Sequence, residues 1–543
     1  MIFQTREEQG QRFRLWQFSF AKIFGRACPG IFVLLIFIFL LPSLPSLPNV
    51  KAIFEEGHII PYGLSLFPGG TEVIYPRLKE GVGNEKGESV GWGYYDREKG
   101  KVVSDLHTFS QLFSSIPRRA RASFIYGVPW IDTFMFLPMI NIPELLETYG
   151  VIELIWFATD ATGHALGEKI YLDSIRKFDS YFGKLIKRLN LAEINLILYC
   201  DHGMSFDNEI NINQVSEIKR VVGEGLEVFL FPNIYLKNVT LKEYYAHKIV
   251  QETEIDFAFY KEENNANRVI GYSMQGKVIF EENEEGKIRY LFEGEDVFNY
   301  YGDGYQGEWL TDSEWLSLTK ESRFPAALVN IFRLLANKNA GDIVVVVNPP
   351  KIIDTKLGYS ANHHGVTETD LLVPILLRGK DLKHLYDREE MWLHTLFTSI
   401  PALNFDNIEP EREKNSFSCW GSVNEDYYSG FELSLSPAYR WNIALSYDAD
   451  SYKGWFEYDV YSSYVIRLWA GVGLEHQLDN FDPFLNTRLQ MDFGKIQFNY
   501  GRQVNFSNWK DWQENRKEIT YQINDRLSFN WHIPNRFGFT LYW

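Results

Sequence analysis

From Trp441 to Trp543 the chain alternates apolar and polar residues with a period of two, and no pattern constrains its fold more. Trp441, Ile443, Leu445 and Tyr447 open the series; Ile466, Leu468, Ala470, Val472 and Leu474 continue it; Phe537, Phe539, Leu541 and Trp543 close it. Only a strand puts every second side chain on one face, because a helix returns to the same face after 3.6 residues. The short turns SPAY, FGK, NDR and PNR separate the runs. The spacing predicts an antiparallel, barrel-like meander of about eight or nine strands over residues 419–543. One face is rich in Phe, Tyr and Trp. Periodicity carries no sign, so the stripe fills the core of a soluble barrel or sandwich, or meets lipid in a membrane barrel.

Residues 49–401 read differently. VIELIWFAT (151–159), INLILYC (194–200), DIVVVV (342–347) and VPILLRG (373–379) are short continuous apolar runs. Strands buried on both faces have this character. YLDSIRKFDSYFGKLIKRL (171–189) has helical spacing, with Ile175, Phe178, Phe182, Leu185 and Ile186 on one side. Strands alternating with helices predict an α/β fold with a mostly parallel sheet flanked by helices. GKVIFEENEEGKIRYLF (276–292) reads as a hairpin in a cap inserted within about residues 204–340. Residues 402–418 form a charged linker.

Residues 1–48 admit two readings. A basic stretch with Arg6, Arg12, Arg14, Lys22 and Arg26 precedes the apolar run of residues 31–41 and then PSLPSLP. The run is shorter than the roughly 20 residues a spanning helix needs. It is either a signal or anchor segment or a degenerate first strand of the sheet.

The net charge of -17 argues against a nucleic-acid polymer as partner, since a phosphate backbone calls for a basic face. An acidic protein that draws in a phosphorylated substrate needs metal ions at its site. Cys28, Cys200 and Cys419 are too few and too scattered for a disulfide framework or a cysteine zinc site.

Three segments of the α/β part carry the residue types of a metal centre. FATDATGHALG (157–167) holds Asp160 and His164; YCDHGM (199–204) holds Asp201 and His202; SANHHGV (360–366) holds His363 and His364. The first two follow apolar strands directly, where open α/β sheets place their ligand sites. Carboxylate and imidazole together suit zinc and tolerate manganese. Each pair alone also fits a turn or a cap.

The order Asp-x-x-x-His, Asp-His-Gly, His-Gly resembles the type I phosphodiesterase/nucleotide pyrophosphatase branch of the alkaline phosphatase superfamily. PNVKAIFEEG (48–57), SLFPGGTEVIYP (65–76), GWGYYDREKGK (91–101) and RFPAALVNIFRLL (323–335) are similar to further family segments. The resemblance implies a metal-dependent phosphodiesterase or phosphatase with two divalent cations, zinc first and manganese as alternative. Asp160, His164 and His364 would hold one metal, and Asp201 and His202 the second. Thr71 would be the nucleophile, with Ser65 as fallback and Asn84 as a contact to phosphate. His363 matches no ligand position. The substrate would be a phosphorylated small molecule or lipid. The tail resembles a small outer-membrane β-barrel, whose last strand commonly ends in Phe or Trp. That implies membrane attachment through this part, in the cell envelope of a bacterium, periplasm or outer membrane.

The chain departs from the family at its start. Relatives open with a strand ending in Asp-Gly, whose Asp binds the second metal. Residues 31–48 contain no acid, and Glu55 is the first one after them. Either an active enzyme replaces that ligand, or the chain is a degenerate relative that binds or serves as a membrane-anchored scaffold.

Overall fold

The computed structural model describes residues 30–36, 46–91, 93–104, 122–126, 142, 146, 151–156, 158–206, 210–263, 265–353, 359–401, 415–422, 429–438, 441–448, 451–462, 466–477, 480–493, 496–509, 512–524, 526–533 and 536–543. The basic stretch, residues 37–41 of the apolar run, PSLPSLP up to Leu44–Pro45, Phe157 and most of the charged linker lie outside them.

The main sheet has seven strands, numbered here in chain order: β1 (Gly30–Ile36), β2 (His58–Leu64), β3 (Ala122–Tyr126), β4 (Val151–Trp156), β5 (Ile194–Tyr199), β6 (Leu372–Arg378) and β7 (Glu390–Trp392). Their order across the sheet is β7-β2-β6-β5-β1-β4-β3. The sheet is mixed but mostly parallel; only β6 runs antiparallel to its two neighbours. β1 is an interior strand, pairing Ile36 with Trp156 of β4 and Leu35 with Tyr199 of β5. As far as Ile36, the apolar run is therefore strand.

Helix α1 (Pro48–Phe54) starts where Asp179 accepts hydrogen bonds from the Val50 amide at 2.8 Å and Asn49 Nδ2 at 2.7 Å. Helix α2 (Thr71–Glu80) follows β2, and α3 (Ala158–Ile186) follows β4. Two sequence readings change here. The strand 151–159 stops at Trp156, and Ala158 and Thr159 are already helical. The helix starts 13 residues before the expected Tyr171, with a break at Gly167, whose φ of 76° suits glycine. Ile175, Phe178, Phe182, Leu185 and Ile186 are buried against the sheet, as their spacing predicts.

DIVVVV also changes place. Ile343–Val346 is not in the main sheet but in a second, antiparallel seven-stranded sheet, between Phe257–Lys261 and Asn233–Leu236. Val344 and Val346 join the core shared with the main sheet. Ile343 and Val345 pack on the far side, with residues of the helices Gln214–Val222 and Lys242–Glu252. A strand covered on both faces reads as an unbroken apolar run whichever sheet it belongs to. The expected hairpin is present, as Gly276–Glu282 paired with Ile288–Gly294.

The C-terminal part is a closed antiparallel barrel of ten strands, from Ser416–Ser422 to Arg536–Tyr542, the last pairing with the first. The expectation of eight or nine missed Ser416–Ser422 and Ser429–Ala438. Ser, Gly and Cys dilute the alternation in the first of these, and Pro437 interrupts it in the second. The faces are unambiguous. Asn442, Glu457, Asp459, Asn486, Gln490, Gln503, Asn530 and Thr540 are buried inside, whereas Leu445, Val460, Val472, Leu474, Phe539 and Leu541 are each about half exposed outside. Inside, Glu457 pairs with Arg488 at 2.9 Å and accepts from Asn442 at 3.2 Å and Asn486 at 2.6 Å. Among the described residues no helix is long and apolar enough to cross a membrane, which says nothing of strands.

Candidate metal centre

The carboxyl ends of β4 and β5 and two loops meet at one place. β2 runs on through Ser65 to Gly70, held by Asn330, whose side chain accepts from the Phe67 amide at 3.1 Å and donates to the Ser65 carbonyl at 3.1 Å. Gly70 is extended and caps α2, so Thr71 is the first helical residue. Backbone N–H groups and the positive end of the helix dipole gather at such a position, and both favour an anion.

Thr71 Oγ1 donates to Asp201 Oδ2 at 2.8 Å. Asp201, just beyond β5, is buried, and burial pushes its carboxyl up to about 6; His202 and the Thr71 hydrogen bond pull the other way. The backbone N–H of His202 donates to Asp201 Oδ1 at 3.1 Å. The Ser65 hydroxyl donates to the Asp201 carbonyl, so Ser65 braces the turn and its oxygen is engaged. Asn84 is fully buried and donates to the Phe67 carbonyl at 2.7 Å, so it supports the loop.

Imidazole tautomers follow from the carbonyls around them. His202 Nδ1 lies 2.9 Å from the Gly203 carbonyl, and His164 Nδ1 lies 2.9 Å from the Ala361 carbonyl. A carbonyl only accepts, so each Nδ1 carries a proton, and in the neutral ring each Nε2 presents a lone pair. This is how metal-ligating histidines are oriented. His164 sits one turn after Asp160 on α3, and its Nε2 is 3.3 Å from Asp160 Oδ1. Burial works against a charge on His164, but Asp160 outweighs it and raises its pKa. Burial likewise disfavours ionised Asp160, but His164, then His202 and His364, hold its carboxyl below the ordinary value.

His363 enters the same space. Its Nε2 is 2.9 Å from His164 Nε2 and 3.8 Å from Asp160 Oδ1, and its ring stacks on His202 with centroids 3.7 Å apart. Asp160, His164 and His363 form a group able to hold a cation. His364 is adjacent: its ring centroid is 4.4 Å from that of His363 and 5.4 Å from that of Phe231. Burial, then His164 and His202, push its pKa down to about 3, and the same causes with His364 added keep His363 neutral. Neutral imidazole is the ligand form. The donor set of carboxylates and buried neutral imidazoles fits a zinc-like cation.

All six residues singled out in the sequence thus lie in or beside one cluster: Thr71, Asp201 and His202 on one side, Asp160 and His164 on the other, His364 next to both. His363 is the residue the motif order passes over. Two neighbouring histidines in a loop look equivalent in sequence, and only the fold decides which one faces Asp160. The carboxyl end of β1 lies between the strands that lead to Asp160 and Asp201, yet no acid occurs in residues 31–48.

No curated protein sequence matches the chain. Among solved structures, it is similar to murine ectonucleotide pyrophosphatase/phosphodiesterase 5, with 15% identity over 70% of this chain and 97% of that one and a TM-score of 0.47. An inactive variant of the same murine protein, in complex with AMP, gives a TM-score of 0.45 at 15% identity, over 70% and 96%. The alkaline phosphatase PafA gives 0.42 at 10% identity, over 70% and 98%. A family model described as type I phosphodiesterase/nucleotide pyrophosphatase matches residues 64–368, more than half of the chain and the stretch that holds Thr71, Asp160, His164, Asp201, His202 and His364. The chain belongs to the type I phosphodiesterase/nucleotide pyrophosphatase family.

Proposed function

We propose that the chain is a metal-dependent phosphodiesterase of the bacterial cell envelope, with Thr71 as nucleophile and a phosphorylated small molecule or lipid as substrate. Family membership supports phosphoester hydrolysis. The observation that carries the finer reading is the Thr71–Asp201 hydrogen bond at a helix N-terminus, beside the Asp160–His164–His363 group.

The residues divide the work as follows. The start of α2 receives the phosphoryl oxygens. Thr71 Oγ1 forms the bond to phosphorus as the bond from phosphorus to the leaving-group oxygen breaks, and the Thr71 proton passes by way of Asp201 Oδ2 to the departing oxygen, which leaves as an alcohol. Water then attacks the same phosphorus: its oxygen stays on the released phosphate and one of its protons returns to Thr71 Oγ1 as the Thr71–phosphorus bond breaks. A threonine hydroxyl is a weak nucleophile without such activation. Two divalent cations, held by Asp160 with His164 and by Asp201 with His202, would supply charge neutralisation on the phosphoryl group and a more acidic hydroxyl.

We further read the stretch from β1 at Gly30 to residue 401 as the hydrolase part and 419–543 as its membrane anchor, in the outer membrane facing the periplasm. The apolar belt runs round the whole outside of a closed barrel, and a surrounding medium covers such a belt where a single partner protein cannot. The absence of an acid in residues 31–48 favours one second reading, a degenerate relative that binds without turnover.

Hydrolysis of bis-p-nitrophenyl phosphate separates the two. The enzyme reading predicts turnover that chelator abolishes, that zinc or manganese restores, and that Thr71→Ala lowers by about 10³-fold or more. Absence of turnover under every metal condition, with metal still bound, would favour the degenerate reading.

A further inference from the structure

We propose that His363 is a metal ligand: its Nε2 completes, with Asp160 and His164, the site for the first cation, in the place that the motif order gives to His364. The inference rests on the metal-dependent reading above and specifies its ligand set.

Three observations carry it. The first is the geometry of the donor atoms. The separations are 2.9 Å for His164 Nε2 to His363 Nε2, 3.3 Å for His164 Nε2 to Asp160 Oδ1, and 3.8 Å for His363 Nε2 to Asp160 Oδ1. A tetrahedral zinc site with bonds of about 2.0–2.1 Å has ligand–ligand edges of about 3.3 Å. The three separations bracket that edge and centre on it, so a cation fits with shifts of a few tenths of an ångström.

The second is the direction of the lone pairs. The Ala361 carbonyl fixes a proton of His164 on Nδ1, so in the neutral ring the Nε2 that meets His363 offers its lone pair. Two ring nitrogens held this close need a proton or a cation between them. A cation also satisfies Asp160, whose Oδ1 is buried and has no hydrogen-bond partner.

The third is that His363 is built in. Its ring lies flat on His202, with an interplanar angle of 15°. Its carbonyl oxygen would be 2.3 Å from a Cβ at residue 69, so the loop carrying it seats only against glycine. A side chain fixed by its neighbours loses little freedom on binding a metal.

The consequence is a first site of one carboxylate and two imidazoles, its second imidazole drawn from His363, in a chain with no carboxylate in residues 31–48. Nitrogen-rich donor sets select zinc-like cations over magnesium and calcium, which take oxygen ligands.

The test is cobalt binding to the full chain in detergent, after stripping with chelator, read by calorimetry and by the visible ligand-field absorption. Wild type is compared with His363→Ala, His363→Asp and His364→Ala. The proposal expects His363→Ala to weaken one cobalt site by about tenfold or more and to change its absorption. It expects His363→Asp, which supplies an oxygen ligand in place of the nitrogen, to recover affinity with an altered spectrum. Wild-type affinity and spectrum in His363→Ala, with the loss falling on His364→Ala alone, would overturn it and leave the metal-dependent reading standing. No cobalt bound by wild type would overturn both. Melting in chelator controls for folding; if His363→Ala does not fold, His363→Gln gives the same comparison.

Discussion

His164, His202, His363 and His364 pack against one another with Asp160 and Asp201 as the carboxylates among them. Burial forces His363 and His364 to stay neutral, which suits them to bind a cation and unsuits them to replace one. Asp370 lies just behind this group and accepts from the Gly365 amide at 2.8 Å. Burial, and to a lesser degree Glu368, push its carboxyl up to about 7, against the Gly365 hydrogen bond. The sign of the linkage follows. Folded Asp370 keeps its proton to higher pH than the unfolded chain does, so stability is full below about pH 4 and falls as pH rises towards 7. Asp370→Asn keeps an acceptor for Gly365 and removes that loss. It should raise stability by about 1–3 kcal/mol at pH 8 and leave it unchanged near pH 4. Melting in chelator at the two pH values checks this, and equal shifts at both would contradict it.

At the scale of elements, the centre depends on two loops pressed together, residues 65–70 and 360–366. Gly69→Ala should push the His363 carbonyl away, because the new Cβ would start 2.3 Å from it. The expected result is a loss of about 1–3 kcal/mol of stability and at least about tenfold weaker metal binding, by melting and calorimetry. Unchanged metal affinity would mean the loop absorbs the clash. Much of this region was legible in the sequence. Asp160 and His164 share a face because they are one helical turn apart, and Asp201 and His202 follow an unmistakable buried strand. His363 was not legible, because adjacent loop residues carry no facing signal. Nor was the sheet of Ile343–Val346, because burial on both faces erases the alternation that would have marked it antiparallel.

For the whole molecule, the decisive feature is the inverted barrel. Alternation in the sequence located most of its strands, but a period of two has no sign, and only burial shows that the polar stripe is the inner one. Buried charges cost several kcal/mol unless paired; inside the barrel Glu457 is paired with Arg488 and accepts from Asn442 and Asn486. Membrane fractionation should therefore leave the full chain in the outer membrane after carbonate washing and release it only with detergent. A charge placed on the outer face, as in Val472→Arg, should cost about 2–4 kcal/mol near the bilayer midplane, read as a lower yield in that fraction. Recovery of wild type in the soluble fraction would contradict the anchor reading.

The most direct test of the central claim is to quench turnover of a phosphodiester in acid and map the peptides of the full chain by mass spectrometry. Attack by Thr71 should leave a phosphoryl group on the peptide containing Thr71, present only when metal is supplied and absent from Thr71→Ala. Sustained turnover with no adduct at Thr71, or with the adduct on another residue, would contradict it.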